Sequence, residues 1–244
     1  LNPVGMINVA DSLAAIKKLV FDEKRFSLRQ LKSALAANWQ GNGYADMRKM
    51  CLAAPKYGND DDYVDSIARD LYQFWADTTV RLDTCLGGKH KPTAISITSH
   101  GPGGALTGAT PDGRYAGEVL ADGTMSPMRA RDARGPIAAL KSAAKINQEA
   151  YQATLLNMKF HPSALRSVED LSKLSALIKT YFSLGGKHIQ FNVVDKKTLL
   201  DAQAHPENYR DLVVRVAGYS AYFVQLTKAV QDEVIGRTEH EQAG

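Results

Sequence analysis

The pentapeptide Leu-Gly-Gly-Lys-His occurs twice in the 244-residue chain, at positions 86–90 and 184–188. Each copy follows a helical pattern of apolar residues. Each also precedes a run rich in β-branched residues, 93–98 after the first copy and 189–194 after the second. Glycine suits the left-handed conformation that ends many helices, and β-branched residues favour strands. Each copy therefore predicts the end of a helix and the start of a strand.

A third segment has the same order of elements without the pentapeptide. Residues 197–204 predict a helix, His205-Pro206 interrupts it, and residues 212–216 predict a buried strand. Three helix–strand units in succession favour an α/β fold with parallel strands in a sheet or barrel.

The region before the first pentapeptide is predicted to be mainly helical. Asp11 and Ser12 are candidate caps of a first helix, and Ser27 is the candidate cap of a second helix that Gly41–Gly43 would end. A long helical pattern then covers about 63–83. An acidic run precedes it, where the helix dipole favours negative charge.

Residues 101–136, between the first and second units, are rich in glycine and proline. They predict long ordered loops, and loops of this length inside a compact domain are usually functional. His100 stands before these loops at the end of the predicted strand 93–98, so we expect either a hydrogen-bonded loop histidine or a substrate contact. No Ser/Gly linker divides the chain, which is therefore treated as one unit.

The composition excludes several classes of partner. The chain has 30 basic and 26 acidic side chains mixed along its length, which gives no basic block for nucleic acid. Its apolar runs are too short to span a bilayer, so we expect no membrane partner and a cytoplasmic location. Cys51 and Cys85 lack the spacing of metal ligands and are too few for a disulfide framework. We expect reduced thiols and no metal site.

The segment with the most specific pattern lies near the end of the sequence. The predicted strand 212–216 passes into Ala217-Gly218-Tyr219-Ser220, and a glycine after a strand is ordinarily just a turn. The wider string Arg215–Ser220, followed by Val230–Thr238, resembles the signature of the glycyl radical enzymes, the pyruvate formate-lyase-like family.

The resemblance implies that Gly218 carries the radical on its α-carbon. The resemblance also implies that the residues beside Gly218 surround the radical. These are Arg215, Val216, Ala217, Tyr219 and Ser220. A radical delocalised over two peptide groups needs a planar centre, which a Cβ would crowd. Storage away from water and oxygen predicts a deep position beside Val216, Tyr219 and Phe223.

Other segments resemble blocks of the same family in the same order, along essentially the whole chain. They are 5–12, 55–62, 108–114, 120–123 and 190–194. The resemblance implies a helix-rich α/β fold, the carboxy-terminal half of a ten-stranded barrel of the pyruvate formate-lyase type. We therefore expect residues 1–244 to be a half-barrel fragment in which residues 120–242 form the glycine radical domain.

The family also implies partners. A separate activating enzyme, which uses S-adenosylmethionine and an iron–sulfur cluster, installs the radical, so no permanently bound cofactor is expected. Family members are commonly homodimers and are inactivated by oxygen. A homodimer is therefore expected for the parent enzyme.

The sequence departs from the family pattern at the cysteine that receives the radical. That cysteine usually lies in a Gly-Cys-x-Glu loop, and neither Cys51 nor Cys85 matches it. Both are interpreted as core or packing thiols. We expect the reactive cysteine, and the missing amino-terminal half, to lie upstream of Leu1, so that this fragment alone is inactive.

The substrate is the least determined property. Segments 92–102 and 157–161 look more like the arylacetate decarboxylase branch than the others, which favours a decarboxylase. Diol dehydration, choline trimethylamine-lyase and formate acetyltransferase activities stay open. An alternative of another class is a non-catalytic spare-part protein that docks to an oxygen-cleaved partner and carries only the terminal signature.

Overall fold

A computed structural model describes residues 1–95, 98–122, 124–216 and 218–242. Helices make up most of its regular structure. The α-helices are α1 (Met6–Ile16), α2 (Leu28–Ala36), α3 (Tyr44–Ala53), α4 (Asp62–Thr79), α5 (His100–Ala105), α6 (Gly135–Ala144), α7 (Val168–Ser183), α8 (Lys196–Ala204) and α9 (Lys228–Gly236). A π-helical segment, Lys17–Asp22, continues α1.

The strands are short and form three small sheets. They are β1 (Thr93–Ala94), β2 (Ala153–Thr154), β3 (Asn157–Phe160), β4 (Gln190–Val193), β5 (Val213–Arg215), β6 (Ser220–Tyr222) and β7 (Glu239–His240). The pairs β1–β2, β3–β4 and β3–β7 are parallel, and β3 lies between β4 and β7. The pair β5–β6 is an antiparallel hairpin. The predicted α/β fold with parallel strands is therefore confirmed.

The central strand β3 was not predicted as a strand. Its sequence, Asn-Met-Lys-Phe, has no β-branched residue and contains a lysine. The Lys159 side chain is nevertheless buried, because its Nζ donates to the Ile235 carbonyl at 3.2 Å and lies 3.4 Å from Glu239. Tertiary contacts, which local sequence does not show, place this residue in the sheet.

The helix boundaries agree with the sequence where a cap is local. Ser27 caps α2 in a capping box with Gln30, and Asp61 caps α4 by accepting from the Tyr63 amide. The prediction for Asp11 and Ser12 was wrong, since both are buried inside α1. Asp11 accepts from the Tyr57 amide at 2.8 Å, so it joins α1 to the chain before α4.

The apolar core has three clusters. The largest joins α1, α4, α6, α7 and β3, and the second packs α1 and the π-helical segment against α2 and α3. The third consists of residues from α8, β5, α9 and their flanks: Val194, Leu199, Ala202, Val214, Val216, Phe223, Val234 and Ile235. The hairpin therefore shares a core with α8 and α9, separate from the core beneath β3.

The two pentapeptides have different structures. The second copy ends α7, and Gly185 there has a φ of +96°, as predicted for a helix cap. The first copy lies in a tight hairpin closed by an Asp83–Lys89 bridge, because α4 already ends at Thr79. The helix-cap interpretation was therefore wrong for the first copy.

Matched glycines in the two pentapeptides predict different sensitivity to a methyl group. A Cβ at Gly186 would lie 2.4 Å from ring atoms of the buried Tyr181, whereas a Cβ at the exposed Gly88 would meet just the Thr84 hydroxyl at 3.2 Å. We expect Gly186→Ala to lower the free energy of unfolding by about 1–3 kcal/mol. Gly88→Ala should change it by less than about 0.5 kcal/mol. Urea denaturation measures both, and equal losses would contradict the packing difference.

Candidate functional site

Gly218 lies in the turn of the hairpin that β5 and β6 form. The Val216 amide donates to the Tyr219 carbonyl at 2.9 Å and closes this turn. Gly218 has a φ of +77°, a conformation that L-residues rarely adopt. Ala217, a predicted neighbour of the radical, lies outside the described residues.

The surroundings of Gly218 are apolar on one side and open on the other. Val216 and Phe223 are buried, and a Cβ at Gly218 would contact Leu155 Cδ1 at 3.6 Å. Gly218 itself is exposed, and Tyr219 is 40% exposed. The hairpin turn projects from the cluster that buries its base, and the expected deep position stays a prediction.

The side chain of Arg215 connects the two strands of the hairpin to the sheet. Its Nη1 donates to the Ser220 hydroxyl at 3.2 Å, and its Nε donates to the Gln190 amide oxygen at 3.1 Å. The structure thus brings together two of the residues predicted from the sequence, Arg215 and Ser220. It adds Gln190, which lies on β4.

The backbone of Arg215 is held by a side chain instead of a neighbouring strand. Its N–H donates to Asn192 Oδ1 at 2.7 Å, and its carbonyl accepts from Asn192 Nδ2 at 2.7 Å. An amide side chain carries both a donor and an acceptor, so Asn192 satisfies both the N–H and the C=O of Arg215, which belong to successive peptide groups. It joins β4 to β5 where no backbone ladder does so among the described residues.

A buried ion pair holds the hairpin from the side of α9. Arg237 and Glu233 make two hydrogen bonds, at 3.0 and 2.9 Å, and both side chains are 8% exposed. Arg237 also donates to the carbonyls of Arg215 at 3.1 Å and Val216 at 2.5 Å. Although burial alone would lower it, the Glu233 carboxylate raises the pKa of the Arg237 guanidinium.

Sequence reasoning assigned no role to Asn192, Glu233 or Arg237. Asn192 lay in the block 190–194 and Arg237 in the string Val230–Thr238, both of which were recognised as resembling the family. Neither pattern shows what these side chains contact. The contacts of Asn192 and Arg237 with the hairpin join residues 21 to 23 positions apart, beyond any local spacing rule, whereas the i,i+4 spacing of Glu233 and Arg237 could have indicated their ion pair.

A chain of hydrogen bonds leads from the hairpin into the protein. Gln190 donates to the Asn157 side chain, and Asn157 Nδ2 donates to Asp122 Oδ2 at 2.6 Å. Asp122 in turn accepts from the Thr124 amide at 3.0 Å. These residues join β4, β3 and the loop before α6, so the hairpin is anchored to the sheet through polar groups.

A small cavity of about 40 Å³ lies beside this chain. Its lining includes Asn157, Lys159, Glu233 and Arg237, which also support the hairpin. The volume suits one to a few water molecules, far less than a substrate. The cavity is therefore part of the support of the hairpin and not a substrate pocket.

Asp132 and His240 face each other at this cavity, with 3.7 Å between Oδ2 and Nε2. Burial raises the pKa of Asp132 to about 6, against the lowering effect of the Thr238 hydroxyl. Burial and the nearby Lys159 lower the pKa of His240 to about 4. At neutral pH His240 is uncharged, so the contact is not an ion pair.

His188, from the second pentapeptide, also lies near the hairpin. Burial, and then the positive charge of Arg215, lower its pKa below the ordinary value of 6.5. His188 is therefore neutral at physiological pH and adds no charge beside the guanidinium of Arg215.

The two cysteines lie outside the support of the hairpin. Cys51 packs in the second cluster with α2 and α3, and burial raises the pKa of its thiol to about 11. Cys85 is exposed in the first pentapeptide hairpin, so its interpretation as a core thiol was wrong. A thiol with a raised pKa is a poor thiolate nucleophile.

The glycine-rich region after β1 is an ordered scaffold. His100 is buried and begins α5, whose Gly104 lies so close to Glu118 that a Cβ would approach its carbonyl to 2.2 Å. The buried Arg114 donates to the carbonyls of Glu118 at 2.5 Å and Thr107 at 3.1 Å. Arg114 thus organises these loops.

Within residues 1–95, 98–122, 124–216 and 218–242, no group of three His, Cys, Asp or Glu side chains could hold a metal ion. The helices in that part of the chain are also too short or too polar to cross a membrane.

The fold and the hairpin define a class of protein. The chain superimposes on a glycerol dehydratase from Clostridium butyricum with a TM-score of 0.94 and 44% identity, over 98% of this chain and 30% of that structure. It is the carboxy-terminal part of a pyruvate formate-lyase-type barrel, and the helix-rich α/β fold expected from the resemblance is confirmed.

Sequence comparisons give the family. Residues 1–104 match the family described as pyruvate formate lyase-like, and residues 121–224, which include Gly218, match the family described as glycine radical. The indoleacetate decarboxylase of Tractidigestivibacter scatoligenes is 43% identical over 97% of this chain and 29% of its own length. The trans-4-hydroxy-L-proline dehydratase of Clostridioides difficile is 42% identical over 97% and 30%. The chain belongs to the pyruvate formate-lyase-like family of glycyl radical enzymes, and it spans about a third of the length of these relatives.

The opposite pKa shifts of Asp132 and His240 predict opposite effects of their removal on the pH dependence of stability. The pKa of His240 is below 6.5, so its stabilising contribution is lost as the pH falls from 6.5 to 4. The pKa of Asp132 is above 3.8, so its contribution is lost as the pH rises from 3.8 through 6. The free energy of unfolding of Asp132→Asn minus that of wild type should rise by about 1–3 kcal/mol between pH 4 and pH 6. The same difference for His240→Gln should fall by about 1–3 kcal/mol over this range.

Urea denaturation of the three proteins at several pH values measures these slopes. Superimposable pH profiles for wild type and both variants would show that neither group is perturbed by the fold.

Proposed function

We propose that this chain is the radical-storing part of a glycyl radical enzyme, with the unpaired electron on the α-carbon of Gly218. The observation that carries the proposal is the position of Gly218. It lies in a tight, positive-φ turn inside the region that matches the glycine radical family. Arg215, Val216, Ala217, Tyr219 and Ser220 are the proposed loop neighbours, and residues 120–242 the proposed glycine radical domain.

The proposed reaction moves hydrogen atoms and needs no external oxidant. The Gly218 radical takes a hydrogen atom from a cysteine S–H, which leaves a thiyl radical. The thiyl radical takes a hydrogen atom from the substrate, and the reverse transfers restore the cysteine and the glycyl radical after the substrate bond breaks. The lack of a Cβ at Gly218 allows the planar geometry that delocalises the electron over two peptide groups.

The reactive cysteine is proposed to lie outside this chain. Cys51 is buried in another cluster and Cys85 is exposed in another hairpin, so neither faces Gly218 in the described contacts. The chain spans about 30% of its relatives, which leaves room for an amino-terminal half that carries the cysteine. That half would cover the exposed face of Gly218.

The proposed partners follow from the need to create the radical. An activating enzyme that uses S-adenosylmethionine and an iron–sulfur cluster would remove a hydrogen atom from Gly218. The parent protein is proposed to be a cytoplasmic homodimer that works without oxygen. Because the amino-terminal half would cover Gly218, the hairpin would have to become accessible to this partner before the radical forms.

Arylacetate decarboxylation is the favoured activity. It is supported by segments 92–102 and 157–161 and by the 43% identity to the indoleacetate decarboxylase. The net change replaces the carboxylate with a hydrogen supplied as a proton and releases CO₂. Dehydration of a hydroxylated substrate is the second candidate, because the hydroxyproline and glycerol dehydratases are 42% and 44% identical.

The spare-part alternative is less well supported. A protein of that kind carries just the terminal signature, whereas residues 1–104 of this chain match the pyruvate formate lyase-like family as well. An enzyme therefore accounts for more of the sequence.

Replacement of Gly218 tests the position of the radical. Anaerobic activation of the full-length wild-type protein should give a glycine-centred doublet in electron paramagnetic resonance, and Gly218→Ala should abolish it. Alanine at positive φ costs about 1–2 kcal/mol, which leaves the fold intact. Gly87→Ala is the matched control, because Gly87 also lies in an exposed hairpin with a φ of +80°. A doublet that persists in Gly218→Ala would refute the assignment.

A product assay separates the two candidate substrates. The activated full-length enzyme is incubated with arylacetates, with diols and hydroxyproline, and with choline, and the products are identified by mass spectrometry. We expect CO₂ and the methyl-arene from an arylacetate. Turnover of a diol, hydroxyproline or choline without decarboxylation would remove the preference for a decarboxylase.

A further inference from the structure

The glycine hairpin has two kinds of attachment, one to the helices that share its apolar core and one to the β3–β4 sheet. Its apolar side packs with α8 and α9 in the third cluster, and Arg237 on the α9 side holds the carbonyls of Arg215 and Val216. Toward the β3–β4 sheet, the described hydrogen bonds are those of Arg215 with Asn192 and Gln190. Separation from the sheet would therefore leave the apolar core of the hairpin intact.

The hydrogen-bond pattern of the hairpin shows that the Asn192 contact is not needed to form it. The Val216 amide bonds to Tyr219 and the Phe223 amide bonds to Leu212, so these pairs face each other inside the ladder. Arg215 lies opposite Ser220, at the alternate position where backbone groups point outward. Asn192 forms hydrogen bonds with these outward-pointing groups of Arg215, so it binds a hairpin whose own ladder is already formed.

The Arg237 contact differs because it acts inside the unit formed by the hairpin and α9. Four of the five N–H groups of Arg237 are used, two on Glu233 and two on the hairpin carbonyls. The carboxylate fixes the plane of the guanidinium, and the guanidinium fixes the turn. This contact keeps the shape of the hairpin, while α9 itself is tied to β3 by the separate bond from Lys159 to the Ile235 carbonyl.

We infer that Asn192 is a positioning residue whose amide holds the glycine hairpin on the β3–β4 sheet and sets how readily the hairpin leaves it, while Arg237 with Glu233 preserves the hairpin when it leaves. The inference rests on the proposed function, since access of an activating enzyme to Gly218 is the event that the contact would control. It predicts opposite effects for two residues that bind the same carbonyl of Arg215.

Activation kinetics test the inference in the full-length protein. Asn192→Ala removes both hydrogen bonds to the backbone N–H and carbonyl of Arg215, so the separated hairpin should be about tenfold more populated. The glycine doublet should then form about tenfold faster with the activating enzyme. Air should also cleave the chain at Gly218 about tenfold faster. Asn147→Ala is the matched control, because its amide makes an exposed hydrogen bond to Gln73.

Arg237→Met tests the prediction that loss of the Arg237 contacts does not accelerate activation. It removes the groups that shape the turn, so the doublet should form no faster than in wild type and should reach a lower final yield. Gln190→Ala removes the bond to the Arg215 side chain, together with the one from Gln190 to Asn157, and should accelerate activation about threefold. It keeps the test decisive if Asn192→Ala fails to fold.

The outcomes separate the two proposals. Absence of a doublet in activated wild type would overturn the radical assignment itself. A wild-type doublet together with unchanged activation and cleavage rates in Asn192→Ala and Gln190→Ala would overturn the role of Asn192 alone. Slower activation in both variants would also overturn it, because that result indicates a merely structural contribution.

Discussion

The attachment of the backbone of one residue, Arg215, determines how the glycine turn is held in this protein. Asn192 satisfies its N–H and carbonyl from the sheet, and Arg237 adds a second donor to the carbonyl from the side of α9. A strand in that position would have extended the ladder along the whole hairpin. Side chains instead bind a single residue, so the hairpin joins the sheet through a few directional contacts.

The same arrangement explains how a structured turn can present an exposed glycine. Val214, Val216 and Phe223 bury the base of the hairpin against α8 and α9, while Gly218 remains open at its end. This exposure is that of the present chain, which spans about 30% of the length of its relatives.

Prediction from the sequence succeeded where the signal was local. The capping box at Ser27, the helix end at the second pentapeptide, and the break at His205-Pro206 all rest on contacts within a few residues. It failed where the same sequence occurs in two structural contexts, since the first pentapeptide forms a hairpin and not a helix cap. It also missed β3, because the contacts that bury Lys159 come from residues about 80 positions away.

The amino-acid sequence by itself determined the family and the α/β class, and it singled out Gly218 as the proposed radical position. Each depends on residue types in a fixed order: a residue without Cβ in a signature string, and helical and strand patterns that alternate. The tertiary structure alone decided that Gly218 is exposed in this chain and that Asn192, Glu233 and Arg237 hold its hairpin. These facts depend on backbone groups brought together across more than 20 residues, and hydrogen-bond partners at that separation leave no periodic trace in a sequence.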